Sequence, residues 1–204
     1  HAAATILNGK GLDLDGVNDY IDVPTNQINL AGKSFTVEFW AKRPTLGDWD
    51  LALDLGSNSI TDQWMHIGFR SSNQFTFDFY GDGLNASSSY TDPNWHHWAC
   101  VYNTSIAAPN HNRFIYRDGI LVASDRAANY FSGIGPLNIG RAFGGNYFKG
   151  SLDEIKVWST ARSQTQIAAG MFCSLDCFST DLELYLPVEE GTANGDNTAL
   201  TGLT

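Results

Sequence analysis

The nine residues Gly150-Ser151-Leu152-Asp153-Glu154-Ile155-Lys156-Val157-Trp158 decide the fold class. Leu152, Ile155 and Val157 supply the apolar positions of a core strand, and Trp158 closes the run. An Asp-Glu pair interrupts it. Carboxylates are disfavoured in strands unless something holds them. Two holders are chemically reasonable: a hydrogen-bond network, or a hard cation such as Ca²⁺, which takes oxygen ligands. On a regular strand Asp153 and Glu154 point to opposite faces, so they are not expected to form a catalytic pair with each other.

The strand pattern recurs outward from this stretch. Gly11 to Asp15 and Tyr20 to Val23 are short strands around the turn Gly16-Val17-Asn18-Asp19, and Pro24 ends the second. From Ser34 to Arg43, Phe35, Val37, Phe39 and Ala41 share one face, and Thr36, Glu38, Trp40 and Lys42 the other. Leu51 to Leu55 reads as a strand. Met65, Ile67 and Phe69, then Phe75, Phe77 and Phe79, point inward from two further runs. Trp95 to Tyr102 follows. Asp118-Gly119 joins Arg113–Arg117 to Ile120–Ser124 as a two-residue hairpin. Pro136 to Arg141 precedes the run that ends at Trp158. Ser163 to Met171 is the one helical candidate, with Ser163 as N-cap. About a dozen short strands and one short helix near the C-terminus predict an all-β chain, a two-sheet antiparallel sandwich.

Composition narrows the partners. The 204 residues suit one large all-β domain, and 43% are hydrophobic, with 6 Trp, 8 Tyr and 12 Phe. Twelve basic against 22 acidic residues give a net charge of −10, which argues against nucleic acid or an anionic membrane as partner. No apolar run approaches the roughly 20 residues that cross a bilayer. The opening His1-Ala2-Ala3-Ala4-Thr5 has neither the basic start nor the apolar segment of a signal peptide. Cys100 reads as a buried thiol. Cys173 and Cys177 are close enough in sequence for a small-loop disulfide, which would suit a secreted protein.

Five segments follow one another in a recognisable order: "GLDLDGVNDYIDVP", "SFTVEFWAKRP", "NWHHWACVYN", "FIYRDGILVAS" and "LNIGRAFGGNYFKGSLDEIKVWSTARSQTQI". They resemble laminin-G-like domains of the concanavalin-A-like lectin/glucanase superfamily, of the type common in secreted multidomain bacterial proteins and distantly related to pentraxins. The resemblance runs from about residue 9 to 171. It implies a jelly-roll sandwich, often with one structural Ca²⁺, and a lectin-like or adhesive role. The segment "LELYLPVEEGTANGDNTALTGLT" resembles the stretch that opens such domains. The expected domain is therefore 1–190, with strand 182–187 completing an edge next to 11–15. Residues 191–204 are expected to be a loose tail or the start of a following repeat.

Two sites are expected. The resemblance implies a Ca²⁺ ion joining the N-terminal turn to the last long strand, with Asp153, Gly16, Asp19, Asn18 and Asp15 as ligands; the competing reading is that Asp15, Asn18 and Asp19 form side-chain turns to their own backbone. The second site is a carbohydrate platform. Trp64, His66, Arg70, Asp78 and Tyr80 on outward rows, with the loop aromatics Trp49 and Tyr147, combine rings that stack on sugar faces with planar hydrogen-bonding groups. Glu38, Trp40, Tyr90 and Phe143 extend the same set. His96 and His97 alternate across their strand, so one of them is expected to be buried and hydrogen-bonded.

Catalysis has little support. The Glu-x-Asp-x-x-Glu run of sandwich glucanases is missing, as are Gly-x-Ser-x-Gly and His-Glu-x-x-His. His66 with Asp78 and Tyr80 is the one base-and-acid arrangement on offer, of a lyase kind. The expected function is a non-catalytic lectin-like module of a secreted or cell-surface protein. Its partner would be carbohydrate or a glycosylated surface, within a larger multidomain chain. The alternatives are a protein-binding adhesion module, a structural spacer in a tandem array and, last, a polysaccharide lyase or glycoside hydrolase.

Overall fold

The computed structural model describes residues 11–25, 27–56, 59–107, 110, 112–142, 145–172 and 180–188. Cys173, Cys177, Phe143 and the tail 191–204 lie outside the described residues. In chain order the elements are β1 (Leu12–Asp15), β2 (Ile21–Val23), β3 (Phe35–Lys42), β4 (Asp50–Leu55), β5 (Met65–Phe69), β6 (Gln74–Asp78), β7 (Gly83–Ser89) and β8 (His96–Tyr102). Next come β9 (Arg113–Arg117), β10 (Ile120–Asp125), β11 (Leu137–Ile139), β12 (Arg141–Ala142), β13 (Asn146–Tyr147), β14 (Lys149–Trp158), α1 (Gln164–Gly170) and β15 (Leu182–Leu186).

Two main sheets face each other. One has the order β1-β14-β3-β8-β9-β10, with β15 also on β14; the other has the order β2-β11-β4-β5-β6-β7. Consecutive strands often lie in different sheets, so the result is a jelly-roll sandwich rather than a meander. The inward rows meet between the sheets. Phe35, Val37, Phe39, Trp98, Cys100, Leu152, Ile155 and Val157 from one sheet pack on Leu53, Leu55, Met65, Ile67, Phe75, Phe77 and Phe79 from the other. Phe75 and Trp98 stack across the interior at 3.9 Å.

β14 holds the larger sheet together. Along one edge it pairs with β3; along the other it pairs first with β1, Leu12 opposite Leu152, and then with β15, Leu186 opposite Ile155. β1 and β15 thus lie in line along β14. Its Asp-Glu pair forms a β-bulge. Asp153 stands opposite Trp40 and Lys156 opposite Glu38, leaving one residue too many between them, and Glu154 sits at φ 52°. The bulge corrects the expectation for a regular strand. Asp153 faces the Trp40 side, and Glu154 is turned to that side too. Its carboxylate lies 3.1 Å from Lys156 Nζ and accepts the Tyr185 hydroxyl at 2.9 Å. Asp153 Oδ1 accepts the Glu154 N–H at 2.8 Å. Hydrogen bonds hold the pair.

The outer face of this sheet is closed. Residues 159–172 run across it, and α1 presses Ile167 onto Ala99, Val101 and Tyr116. Ser163 caps α1 in a reciprocal capping box with Gln166. Beneath the crossing, Glu38 is 1% exposed and lies 3.1 Å from Arg162 Nε and 3.3 Å from His97 Nε2. Arg162 also stacks on Trp158 at 3.8 Å, and Trp40 Nε1 donates to the Met171 carbonyl. His97 is the buried histidine of the pair.

β7 and the β12–β13 hairpin were not expected. β7 is a polar edge strand in which only Leu84 and Ala86 are buried, so its apolar signal is short. Removing Glu38 takes away the carboxylate that the half-buried Arg162 guanidinium and the buried His97 ring face. Glu38→Ala is expected to cost about 3–5 kcal/mol in chemical denaturation, against about 1 kcal/mol for the cap variant Ser163→Ala. A Glu38→Ala loss as small as that of the cap would mean that Arg162 and His97 are hydrated instead.

Candidate functional site

The outer face of the six-stranded sheet is built on register. Asp22 stands opposite Asn138, Asn138 opposite Asp54, Asp54 opposite His66, and His66 opposite Asp78. Directly paired residues share a face. Their chain neighbours Val23, Leu137, Ile139, Leu53, Leu55, Met65, Ile67 and Phe77 point to the core. A row of five polar side chains therefore crosses five adjacent strands on the outside, about 19 Å at the usual strand spacing. Gly83 continues the row opposite Asp78. A Cβ there would sit 2.9 Å from Asp78 Oδ2 and 3.1 Å from Arg70 Nη2, so glycine leaves the space those two groups occupy.

A second tier of side chains rests on this floor. Arg141 donates from Nε and Nη2 to Asn138 Oδ1 at 3.2 and 3.1 Å, and stacks on the Tyr20 ring at 3.6 Å. Tyr147, opposite Arg141 in the small hairpin, lies 6.5 Å from Tyr20. In the middle, Trp64 Nε1 donates to Asp54 Oδ1, and the Trp64 and Tyr80 rings stack at 5.1 Å. His66 packs edge-on against both rings. At the far end Arg70 donates to Asp78 Oδ2 at 2.9 Å and lies 4.9 Å over the Trp49 ring. Tyr20 and Trp49, at opposite ends of the row, are 43% and 40% exposed.

All seven residues of the expected platform thus lie on this band, but in different roles. Trp64 is buried and its indole is committed to Asp54, so it supports more than it presents. The exposed rings are at the ends. Tyr20, Asp22, Asp54, Asn138 and Arg141 were missed. The alternation that places Asp54 within Leu-Ala-Leu-Asp-Leu and Asn138 within Leu-Asn-Ile was available, but only register shows that they meet His66. Glu38 and Trp40 lie on the other sheet under the 159–172 crossing, which removes them from the platform. Tyr90 packs on Trp98.

His66 and Asp78 are 8% and 9% exposed, and Nε2 of the first and Oδ1 of the second have no hydrogen-bond partner among the described residues. An unmade hydrogen bond on a buried group costs about 1–3 kcal/mol. Burial, and then the Arg70 guanidinium, pull the His66 imidazole from 6.5 down to about 4. Burial also raises the Asp78 carboxyl, against the pull of Arg70 and Arg113. His66 is therefore neutral at pH 7.

The expected calcium clamp does not assemble. Asp15 stands opposite Lys149, four residues along β14 from Asp153, so the N-terminal turn and Asp153 are separated by about 13 Å. Asp153 is buried on the outer face of the same, larger sheet. Asp15 Oδ1 accepts the Val17 and Asn18 N–H groups and Asp19 Oδ2 accepts the Asp15 N–H, while Gly16 makes the turn at φ 80°. The acids satisfy their own backbone. Among the described residues no three His, Cys, Asp or Glu side chains are placed to hold a metal ion. The residues named for one shared Ca²⁺ do not fit it.

A shallow recess at one end of the sandwich is lined by Tyr90, Asp92, His96, Trp98 and Arg117, among others. Here His96 lies 2.8 Å from Asp118 and 3.1 Å from Asp92, and Arg117 stacks on Tyr90. The Asp118 hydrogen bond raises the His96 pKa. These groups are paired with one another, and they tie the β9–β10 turn to the loop before β8.

Known proteins share this fold. Residues 15–168 match the family laminin G 3, described as Concanavalin A-like lectin/glucanases superfamily, and the chain belongs to that family. No curated protein sequence matches. Among solved structures, the chain is similar to a Bacteroides ovatus protein described as carbohydrate binding, with TM-score 0.68, 20% identity, and coverage of 91% of this chain and 54% of that one. The chain thus spans about half the length of that protein. It is also similar to the sialidase module CBM40 of Ruminococcus gnavus bound to α2,3 sialyllactose, with TM-score 0.60, 12% identity, and coverage of 81% and 98%. A heptameric SAP-like pentraxin from Limulus polyphemus matches with TM-score 0.56, 13% identity, and coverage of 81% and 82%.

Two outcomes test the site. Between pH 6.5 and 4 the unfolded chain takes up a proton on His66 that the folded protein refuses, so this group lowers stability as pH falls, by up to about 3 kcal/mol. His96 acts oppositely: its stabilisation is present below its unfolded value and is lost as pH rises through the raised folded one. The wild type is therefore expected to lose more melting temperature than His66→Gln over that window; equal losses would show that His66 is not buried neutral. Separately, Asp153→Asn is expected to leave the melting response to Ca²⁺ and EDTA unchanged. A Ca²⁺-dependent rise that disappears in Asp153→Asn would restore the clamp.

Proposed function

We propose that the chain is a non-catalytic, carbohydrate-binding, lectin-like module that binds sugar on the outer face of the six-stranded sheet. The observation that carries this reading is the tier of planar side chains held on a hydrogen-bonded floor. Arg141, Trp64 and Arg70 are each fixed by a partner in the row, so a sugar meets rings and guanidinium edges that are already ordered. Preorganisation of this kind lowers the entropic cost of binding. The neighbours described as carbohydrate binding and as bound to sialyllactose support the ligand class.

The groups that a catalyst would need are paired or buried away from solvent. Asp54 is bonded to the Trp64 indole and Asp78 to Arg70, and His66 Nε2 has almost no access to solvent. This disfavours the lyase arrangement of His66, Asp78 and Tyr80. A secreted or cell-surface setting within a longer chain is the natural context for such a module. The protein-binding and spacer readings leave the ordered tier without a purpose.

Affinity gel electrophoresis over a polysaccharide panel tests the proposal. Retention is expected, and Arg70→Ala is expected to weaken it about tenfold or more with the fold intact by circular dichroism. No retention of the wild type by any glycan would refute the reading. Release of reducing ends or unsaturated products would replace it with the enzymatic one.

A further inference from the structure

The two ends of the band repeat one arrangement. At one end Arg141 is hydrogen-bonded to floor residue Asn138 and stacked on the exposed Tyr20 ring, with Tyr147 alongside. At the other, Arg70 is hydrogen-bonded to floor residue Asp78 and stacked beside the exposed Trp49 ring. Asn138 and Asp78 are three strand spacings apart, about 14 Å, and the exposed rings lie further out. The Trp64–Tyr80 stack stands between them. A single sugar ring is too small to engage both ends. Among the described residues neither end of the band closes into a pocket that would fix a chain terminus, and both terminal rings are open to solvent.

Charge narrows the ligand further. The floor carries three carboxylates, Asp22, Asp54 and Asp78, against two guanidiniums in the tier. Arg70 is already paired with Asp78, and the whole chain has a net charge of −10. An acidic polymer meets repulsion here. Asp and Asn acceptors beside Arg donors suit sugar hydroxyls.

Resting on the carbohydrate-binding reading above, we infer that the face binds an internal stretch of a linear, uncharged polysaccharide. The chain lies across the strands and engages the Tyr20–Arg141–Tyr147 and Trp49–Arg70 ends together. Affinity then depends on ligand length, because a short oligosaccharide reaches only one end while a longer one gains the second contact within the same complex.

The test uses xylan, mannan, arabinan and mixed-linkage glucan, with sialyllactose and a polyuronate as charged controls. Calorimetry then follows whichever polymer is retained through its oligosaccharides, from disaccharide to hexasaccharide. The dissociation constant is expected to fall at least about tenfold along that series. Tyr147→Ala and Trp49→Ala are each expected to flatten the length dependence, cutting the gain from disaccharide to hexasaccharide to about threefold or less. Near-ultraviolet circular dichroism confirms that each variant is folded. Equal affinity for disaccharide and hexasaccharide, or retention by the charged ligands alone, overturns this inference while the carbohydrate-binding reading stands. Retention by none of the glycans removes both.

Discussion

Glu38 decides which face of this sandwich is free to act. A two-sheet sandwich has two outer faces, and sequence alternation alone does not say which is used. Here Glu38 draws Arg162 onto the larger sheet, Arg162 in turn stacks on Trp158, and the chain from Ser159 to Phe172 is laid across the sheet with Ile167 pressed into it. A carboxylate so buried is stabilised only by close partners, since the cost of removing it from water is several kcal/mol. The same ion-pair contacts that face Glu38 therefore close that side of the sheet. What remains is the outer face of the six-stranded sheet, and its polar row lies there.

That row depends on register in the way a helix face depends on periodicity. Because side chains alternate with a period of two, a slip of one residue in β11, β4, β5 or β6 would send a polar member of the row into the core. The apolar neighbours Leu137, Ile139, Leu53, Leu55, Ile67 and Phe77 prevent this, since each slip would also expose them. Core packing and the alignment of the site are therefore one constraint. It explains how Asp22, Asn138, Asp54, His66 and Asp78, spread over more than a hundred residues of chain, come to stand in line.

The fold was largely legible because the inward rows are strongly apolar and the resemblance covered most of the chain. The N-cap at Ser163, the Asp118-Gly119 hairpin and the buried Cys100 followed from local chemistry. What could not be read depends on pairing. The bulge at Glu154 is set by two registers against β3, and a single strand read alone gives no sign of it. The residues named for calcium stay apart for a related reason: Asp153 lies on β14 itself, and the 15–19 turn meets that strand at Lys149, four residues away. For the platform, residue type pointed to His66, Arg70, Asp78, Tyr80, Trp49 and Tyr147. It could not distinguish the ring that supports, Trp64, from one that is presented, Tyr20. Arg141 becomes informative only once the β12–β13 hairpin places it over Asn138.

A sheet face needed only for solubility has no use for such an arrangement. Scattered exposed polar residues keep a sandwich soluble at little cost. Here Asp54, His66, Asp78 and Asn138 are buried beneath other side chains, two of their polar atoms lack partners among the described residues, and the imidazole is forced to stay neutral well below its ordinary range. Each of these features lowers stability. Their common effect is to fix Arg141, Trp64 and Arg70 in place above them. That effect matters to a ligand that must find ordered groups and matters little to the fold, whose core lies on the opposite side of the same strands. The stability given up in the floor is most simply understood as the cost of holding the tier rigid.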